Sequence, residues 1–186
     1  MPPLQNLADS LPPYANDIAL NLGSVVAETI LTEPQKWGCF VASAHAVAVP
    51  RVVKAIEAAA DAAGLAPDAK LAARGAAAIM AQNNVYFRAI AIMKNHTEYR
   101  ALRARLRMRI VSNPGVPKDD FDLWCVAVSA INGCADCLDD HEASARRAGV
   151  EPAEIQAALR IAAVVNGVSR VLAGEASAQR AAPVST

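Results

Sequence analysis

Cys134, Cys137 and His141, in the run Asn132-Gly-Cys134-Ala-Asp136-Cys137-Leu-Asp-Asp-His141, form the densest set of reactive side chains in the sequence. On a helix they fall at i, i+3 and i+7 along one stripe, so the two thiols can meet and the imidazole lies one turn from Cys137, placed to take its proton. The thiolate is the nucleophilic form of cysteine, so this is the layout of a redox pair or an activated nucleophile. Asn132-Gly133 is a helix stop, and a new helix is expected to open at about Cys134. The positive end of that helix dipole acidifies Cys134, whereas the His141 spacing favours Cys137. The residues alone leave that conflict open. Asp122, with eleven residues between it and Cys134, could orient His141 or pass a proton; as a first-turn acid it would equally well complement its own helix dipole.

A Cys-x-x-Cys pair is also half of a zinc site. A structural zinc wants four ligands; Cys134, Cys137 and His141 supply three, with Asp122 or Asp136 as a fourth, but no second Cys-x-x-Cys exists. The redox reading is the stronger. Cys39 and Cys125 sit in apolar helical runs beside Trp37 and Trp124 and read as buried structural thiols. His45 has no acid or thiol nearby in sequence and reads as a packed or partly exposed histidine. His96 reads as surface, and Asn83-Asn84 as buried amides that need partners.

The elements that must position these groups are helical. Apolar residues make up 54% of the 186-residue chain, dominated by alanine, and aromatics only 4%, which favours close helix packing over strands. The fold class is therefore all-α. After a short N-terminal segment, a helix is expected from about Tyr14 to Leu31. Thr32-Glu-Pro-Gln35 reads as a capping box opening a helix to about Val49. Further helices are expected over Pro50 to Ala63, with Gly64 just past the end, and from Pro67 towards Met93. Arg100 to Arg109 holds five arginines in ten residues. It reads first as a solvated helix face, with docking of an acidic partner as the sharper alternative. Asn113-Pro-Gly-Val-Pro117 is the strongest turn signal. A helix from Lys118 to Ile131 then leads to the cysteine helix, which Gly149 closes, and a last helix runs from Pro152 to about Ala176. The tail Ala181–Thr186 is expected to be loose.

The 18 basic and 18 acidic residues cancel, so no global field attracts nucleic acid or a membrane surface. The first twenty residues lack a basic n-region and an apolar h-region. Arg160, Asn166 and Arg170 interrupt the longest apolar candidate for a membrane span. A cytoplasmic protein is expected, in which four cysteines read as catalytic or metal-binding and not as a disulfide framework.

An internal repeat divides the single domain, residues 1–186. Trp37-Gly-Cys-Phe-Val-Ala-Ser-Ala44 resembles Trp124-Cys-Val-Ala-Val-Ser-Ala130 with a one-residue slip, and Ile79 to Val85 resembles Ala162 to Val168. This gives a degenerate half at about 14–110 and a redox-active half at about 113–178. Where the Cys-x-x-Cys would fall in the first half stands Ala46-Val-Ala-Val-Pro50, without a thiol.

The pattern Asp122-x11-Cys134-x2-Cys137-x3-His141, with Asn113-Pro-Gly-Val-Pro-Lys before it and Ser-Ala-Ile-Asn-Gly-Cys within it, resembles the alkyl hydroperoxidase D (AhpD) family of the carboxymuconolactone decarboxylase-like superfamily. The resemblance extends through Leu11-Pro-Pro-Tyr-Ala-Asn-Asp-Ile, Gln35-Lys-Trp-Gly and Ala76-Ala-Ala-Ile-Met-Ala-Gln-Asn-Asn-Val. It implies an all-helical subunit of two similar halves, assembled as a homotrimer, that reduces organic hydroperoxides as an antioxidant enzyme. It also implies that Cys137 attacks the peroxide, Cys134 resolves it as a disulfide, and His141 belongs to the proton relay. No bound cofactor is expected. The implied reductant is the dihydrolipoyl group of a dihydrolipoamide succinyltransferase, recharged by dihydrolipoamide dehydrogenase and NADH, and a peroxiredoxin is an implied partner.

Two positions depart from the family pattern. Asp122 stands where a glutamate is usual and is shorter by one methylene; a displacement of about 1 Å can cost on the order of a hundredfold, unless a water bridges the gap. Asp136 stands where a histidine is usual, and a carboxylate beside a thiolate disfavours its charge. Slow peroxidase activity, or a preference for thiol-disulfide exchange, is the expectation. The alternatives are a thiol-disulfide adaptor or zinc-binding protein without fast peroxidase activity, and a carboxymuconolactone decarboxylase-like enzyme acting on a small lactone.

Overall fold

The computed structural model describes residues 2–181, and those residues form helices joined by short connections, with no strand among them. The chain opens with α1 (Pro2–Asp9), a 3-10 turn at Pro13–Ala15 and α2 (Asn16–Val26). There follow α3 (Glu33–Val47), α4 (Pro50–Ala62), α5 (Pro67–Ile92), α6 (Glu98–Ala101), α7 (Arg109–Ser112), α8 (Lys118–Asn132), α9 (Ala135–Arg147) and α10 (Pro152–Ala181).

Local chemistry explains the boundaries. Thr32 Oγ1 accepts from the Gln35 amide at 3.3 Å while Gln35 Oε1 accepts from the Thr32 amide at 3.0 Å, so the capping box is complete and satisfies two amides that would otherwise lack partners. Gly64 follows α4 at φ 80°, where a side chain is disfavoured. Asp119 and Asp120 stand in the first turn of α8, complementing its dipole. Gly133 ends α8 at φ 67°, and the Gly133 and Cys134 amides turn back onto the Ala130 and Ser129 carbonyls. That left-handed turn folds α9 against α8.

The centre of the molecule is the pair α3 and α8. Residues 35–44 of α3 and 121–129 of α8 are buried on every face, the pattern of helices with no solvent side. Small residues let them approach: a Cβ at Gly38 would lie 2.1 Å from the Trp124 indole, whose Nε1 donates to the Gln35 carbonyl at 3.2 Å. Around this pair, α5 and α10 pack against both helices. By length and composition α10 could cross a membrane, but it packs on α2, α3 and α8, and Ile161, Val165 and Val168 are core residues. It is a core helix of this fold.

Most of the expected elements are present, with four differences. The N-terminal segment is itself helical over Pro2–Asp9, with Leu4 and Leu7 buried, and the expected Tyr14–Leu31 helix ends at Val26. The last helix runs on to Ala181. The arginine-rich stretch is not a helix face: residues 103–108 are irregular, between the single turns α6 and α7. Its exposed arginines alternate with half-buried Ala104, Leu106 and Met108, and Arg105 takes a left-handed φ of 53°, so the segment is neither a helix nor a strand. Of the tail, residues 182–186 lie outside the described residues.

Candidate active site

Asp122, in the second turn of α8, is wholly buried and accepts three side-chain hydrogen bonds. His141 Nδ1 reaches its Oδ1 at 2.8 Å, Ser144 Oγ donates to its Oδ2 at 2.6 Å, and the Lys118 ammonium one turn earlier pairs with Oδ1. Burial pushes the Asp122 carboxyl up, but the bonds from His141, Lys118 and Ser144 together outweigh it and hold the group below its usual range,. A carboxylate only accepts, so Nδ1 of His141 carries a proton and Nε2 is the nitrogen left to exchange one.

The sequence places these partners by helical spacing. Lys118 and Asp122 are i and i+4 on α8; on α9, Cys137, Asp140, His141, Ser144 and Arg147 share one face. That face lines a cavity of about 370 Å³. Met80 and Phe87 of α5, with Met108 and Val111 at and in α7, form its apolar wall, to which Asn83 of α5 adds an amide; Lys118 and Asp122 line it from α8.

Cys134 and Cys137 are joined as a disulfide, their Cα atoms 5.4 Å apart. Cys134 is the N-cap of α9 and Cys137 lies in its first turn, so both thiols stand at the positive end of the helix. Cys137 lines the cavity and Cys134 does not; it is buried at 1% exposure. The bottom of the turn is braced by amides: Asn84 Nδ2 donates to Ser129 Oγ at 3.1 Å, and Asn132 Nδ2 donates to Asn84 Oδ1 at 2.9 Å. The buried amide thus ties α5 to the end of α8.

The structure brings Cys137, His141 and Asp122 to one cavity, with Cys134 bonded to Cys137. Two expectations change. Asp122 needs no bridging water, since its shorter side chain reaches His141 directly. Asp136 does not face Cys137 as an uncompensated charge: it is part-exposed, and the Arg100 guanidinium lies 3.8 Å from its Oδ2. Sequence reasoning missed Ser144 and Lys118. The signal was the spacing of Ser144 from His141 and of Lys118 from Asp122, which reads as a functional stripe only once Asp122 and His141 are known to meet.

The other candidates lie apart from this cavity. Cys39 and Cys125 are free and buried, and burial pushes the thiols of both well up, so they are poor nucleophiles. His96 is exposed. His45 is not without an acid: Glu57 of α4 lies 2.8 Å from its Nε2 and is also gripped by Arg74 of α5. Among the described residues, no three His, Cys, Asp or Glu side chains converge as a metal site.

The model of the carboxymuconolactone decarboxylase family matches residues 97–180, from the arginine-rich segment through α10. Over nearly its whole length the chain is similar to curated proteins named alkyl hydroperoxide reductase AhpD. It is 55% identical over 175 residues to the one from Hyphomonas neptunium, covering 94% of this chain and 96% of the relative. It is 53% identical over 174 residues to that of Caulobacter vibrioides, covering 94% of each, and 49% identical over 173 residues to that of Streptomyces avermitilis, covering 93% and 97%.

Proposed function

The chain belongs to the AhpD family of alkyl hydroperoxide reductases, and from that membership we propose that it is an antioxidant peroxidase that reduces organic hydroperoxides with the Cys134–Cys137 dithiol. The observation that carries this reading is the buried Asp122–His141 pair in the same cavity as Cys137. In the reduced protein, Nε2 of His141 takes the Cys137 proton, and Asp122 stabilises the imidazolium through Nδ1. The Cys137 thiolate attacks the terminal peroxide oxygen: an S–O bond forms, the O–O bond breaks, and the departing alkoxide takes the proton from His141 to leave as alcohol. The Cys137 sulfenic acid then condenses with the Cys134 thiol, releasing water and forming the disulfide. The assignment of Cys137 as attacking thiol is supported by access, because it lines the cavity and Cys134 does not. Ser144 and Lys118 are positioning residues that act through Asp122.

The reductant in this reading is an external dihydrolipoyl group, from a dihydrolipoamide succinyltransferase, with a peroxiredoxin as a further partner and the cytoplasm as the compartment. No cofactor or metal is resident in the cycle. A homotrimer is supported by Leu71, Val85 and Ile92, which are 68%, 61% and 69% exposed and fall at multiples of seven along one face of α5, an apolar stripe of the kind that pairs helices. The two-halves reading is supported by helix lengths: α3 and α8 have 15 residues each, α4 and α9 have 13 each, and α5 and α10 have 26 and 30.

The test is reduction of cumene hydroperoxide coupled to dihydrolipoamide, dihydrolipoamide dehydrogenase and NADH. Wild-type protein turns over, and Cys137→Ser abolishes turnover. Full turnover by Cys137→Ser sinks the assignment. A lactone decarboxylase would instead keep its activity after both cysteines are replaced by serine.

A further inference from the structure

The formal neutrality of the chain conceals a separation of charge. Of its 18 basic and 18 acidic residues, 7 and 1 fall between Lys94 and Lys118, leaving 11 basic against 17 acidic elsewhere. Within this segment Arg103, Arg105, Arg107 and Arg109 are exposed, while Ala104, Leu106, Met108 and Ile110 are half-buried. The inward face is fixed. Met108 lines the cavity that holds Cys137, and Ile110 packs on Gly75 of α5 so closely that a Cβ there would lie 2.4 Å from its Cδ1. Among the described residues, none of the four exposed arginines meets a carboxylate within 4.0 Å; in this segment it is Arg100 that does, beside the cysteine pair. The protein thus holds a row of solvated guanidinium groups on the segment whose Met108 lines the dithiol cavity.

We propose that the strap 103–109 is a docking surface for an acidic protein domain that delivers a dithiol to the Cys134–Cys137 disulfide. This rests on the reading above that an external dithiol resets the pair. A free small dithiol fits the cavity of about 370 Å³ and has no use for a row of guanidinium groups on the solvent side of the strap. Four exposed cations in one row suit the acidic surface of a domain,. The exposed arginines carry their charge within roughly a Debye length of such a surface, about 8 Å at physiological salt. They therefore act chiefly on the encounter rate. Once docked, one carrier thiolate attacks a sulfur of the disulfide to give a mixed disulfide. The second carrier thiol displaces it, so two electrons and two protons pass to Cys134 and Cys137 and the carrier leaves as its own disulfide.

The test uses oxidised protein with no hydroperoxide present, so that it is independent of the peroxide step. Reduction of the Cys134–Cys137 disulfide is followed with three probes: neutral dihydrolipoamide, a dihydrolipoyl-lysine peptide flanked by glutamates, and the same peptide flanked by glutamines. The acidic peptide reacts about tenfold faster than the neutral one at low salt, and the advantage disappears at about 0.5 M salt. The variant R103Q/R105Q/R107Q loses the advantage and keeps the dihydrolipoamide rate. Equal rates for the two peptides, or an equal slowing of all three probes by the variant, overturns the proposal. If the variant does not fold, the salt titration of the wild type decides, and a flat profile overturns it. If dithiothreitol reduces the disulfide and none of the dihydrolipoyl probes does, the lipoyl reading fails. The strap is then judged by fluorescence anisotropy of the acidic peptide alone, where a Kd unchanged by the triple substitution overturns it. A DNA oligonucleotide that binds more tightly than the peptide and displaces it also overturns it, in favour of nucleic acid.

Discussion

Replacing Asp122 by asparagine separates its charge from its shape. The side chain is fully buried and meets His141 Nδ1 at 2.8 Å and Ser144 Oγ at 2.6 Å, so an isosteric amide keeps the packing. Lys118, whose side chain is 41% exposed, can turn to water. What changes is the proton on the imidazole. An amide can donate to Nδ1, which moves the ring proton to Nε2 and removes the site that accepts from Cys137. It also removes the charge-assisted hydrogen bond that stabilises the imidazolium, worth about 1.5–3 kcal/mol, which corresponds to a loss of roughly 10- to 200-fold in rate. The assay is single-turnover oxidation of reduced protein by tert-butyl hydroperoxide, with thiol loss followed from pH 6 to 9.5. Asp122→Asn is expected to fall by that factor near neutrality and to approach wild type at the alkaline end, where solvent alone forms thiolate from a thiol of ordinary pKa, about 8.5. Its melting temperature should shift by only a few degrees. A rate within twofold of wild type at neutral pH would refute the relay.

Other outcomes follow from single contacts. Arg100→Gln leaves the Asp136 carboxylate uncompensated beside Cys137 and should slow the same oxidation up to about fivefold, the scale of an exposed ion pair of about 1 kcal/mol; Asp136→Asn should not slow it. Gly38→Ala drives a methyl into the Trp124 indole and should destabilise the protein by about 1–3 kcal/mol in urea unfolding, with α3 and α8 forced apart. Glu57 is held down to about 2, chiefly by its hydrogen bonds to Arg74 and despite partial burial. Its folded-state pKa is depressed, so its contribution is complete above about 4.5 and is lost as pH falls towards 2. Glu57→Gln should therefore cost about 1–3 kcal/mol at pH 7, discounted because Arg74 is part-exposed, and far less at pH 2.5; an equal cost at both pH values would contradict this.

Where the chemistry is local, the sequence carried it. The Thr32–Gln35 box, the Gly133 stop, the placement of Cys134 and Cys137 at the start of α9 and the burial of Cys39 and Cys125 all depend on neighbours within a turn or on apolar runs. What depends on which helices meet was not legible. His45 finds its acid in Glu57 on another helix, Arg100 offsets Asp136 across more than thirty residues, and Ser144 joins the site because α9 lies along α8. The arginine-rich segment misled in a different way. Five arginines with alanine and leucine between them fit a helix by propensity, but from Arg103 on they alternate with half-buried residues in an irregular strap whose Arg105 is left-handed. The buried face of that strap depends on α5, which no local pattern reveals.

That Cys137 and Cys134 are the reacting pair is tested by a thiol map of reduced protein by mass spectrometry before and after about one equivalent of an organic hydroperoxide. A Cys134–Cys137 disulfide is expected with Cys39 and Cys125 still reduced, together with a sulfenic acid trapped at Cys137 in the Cys134→Ser variant. Four intact thiols after exposure to peroxide, or first oxidation at Cys39 or Cys125, would contradict it.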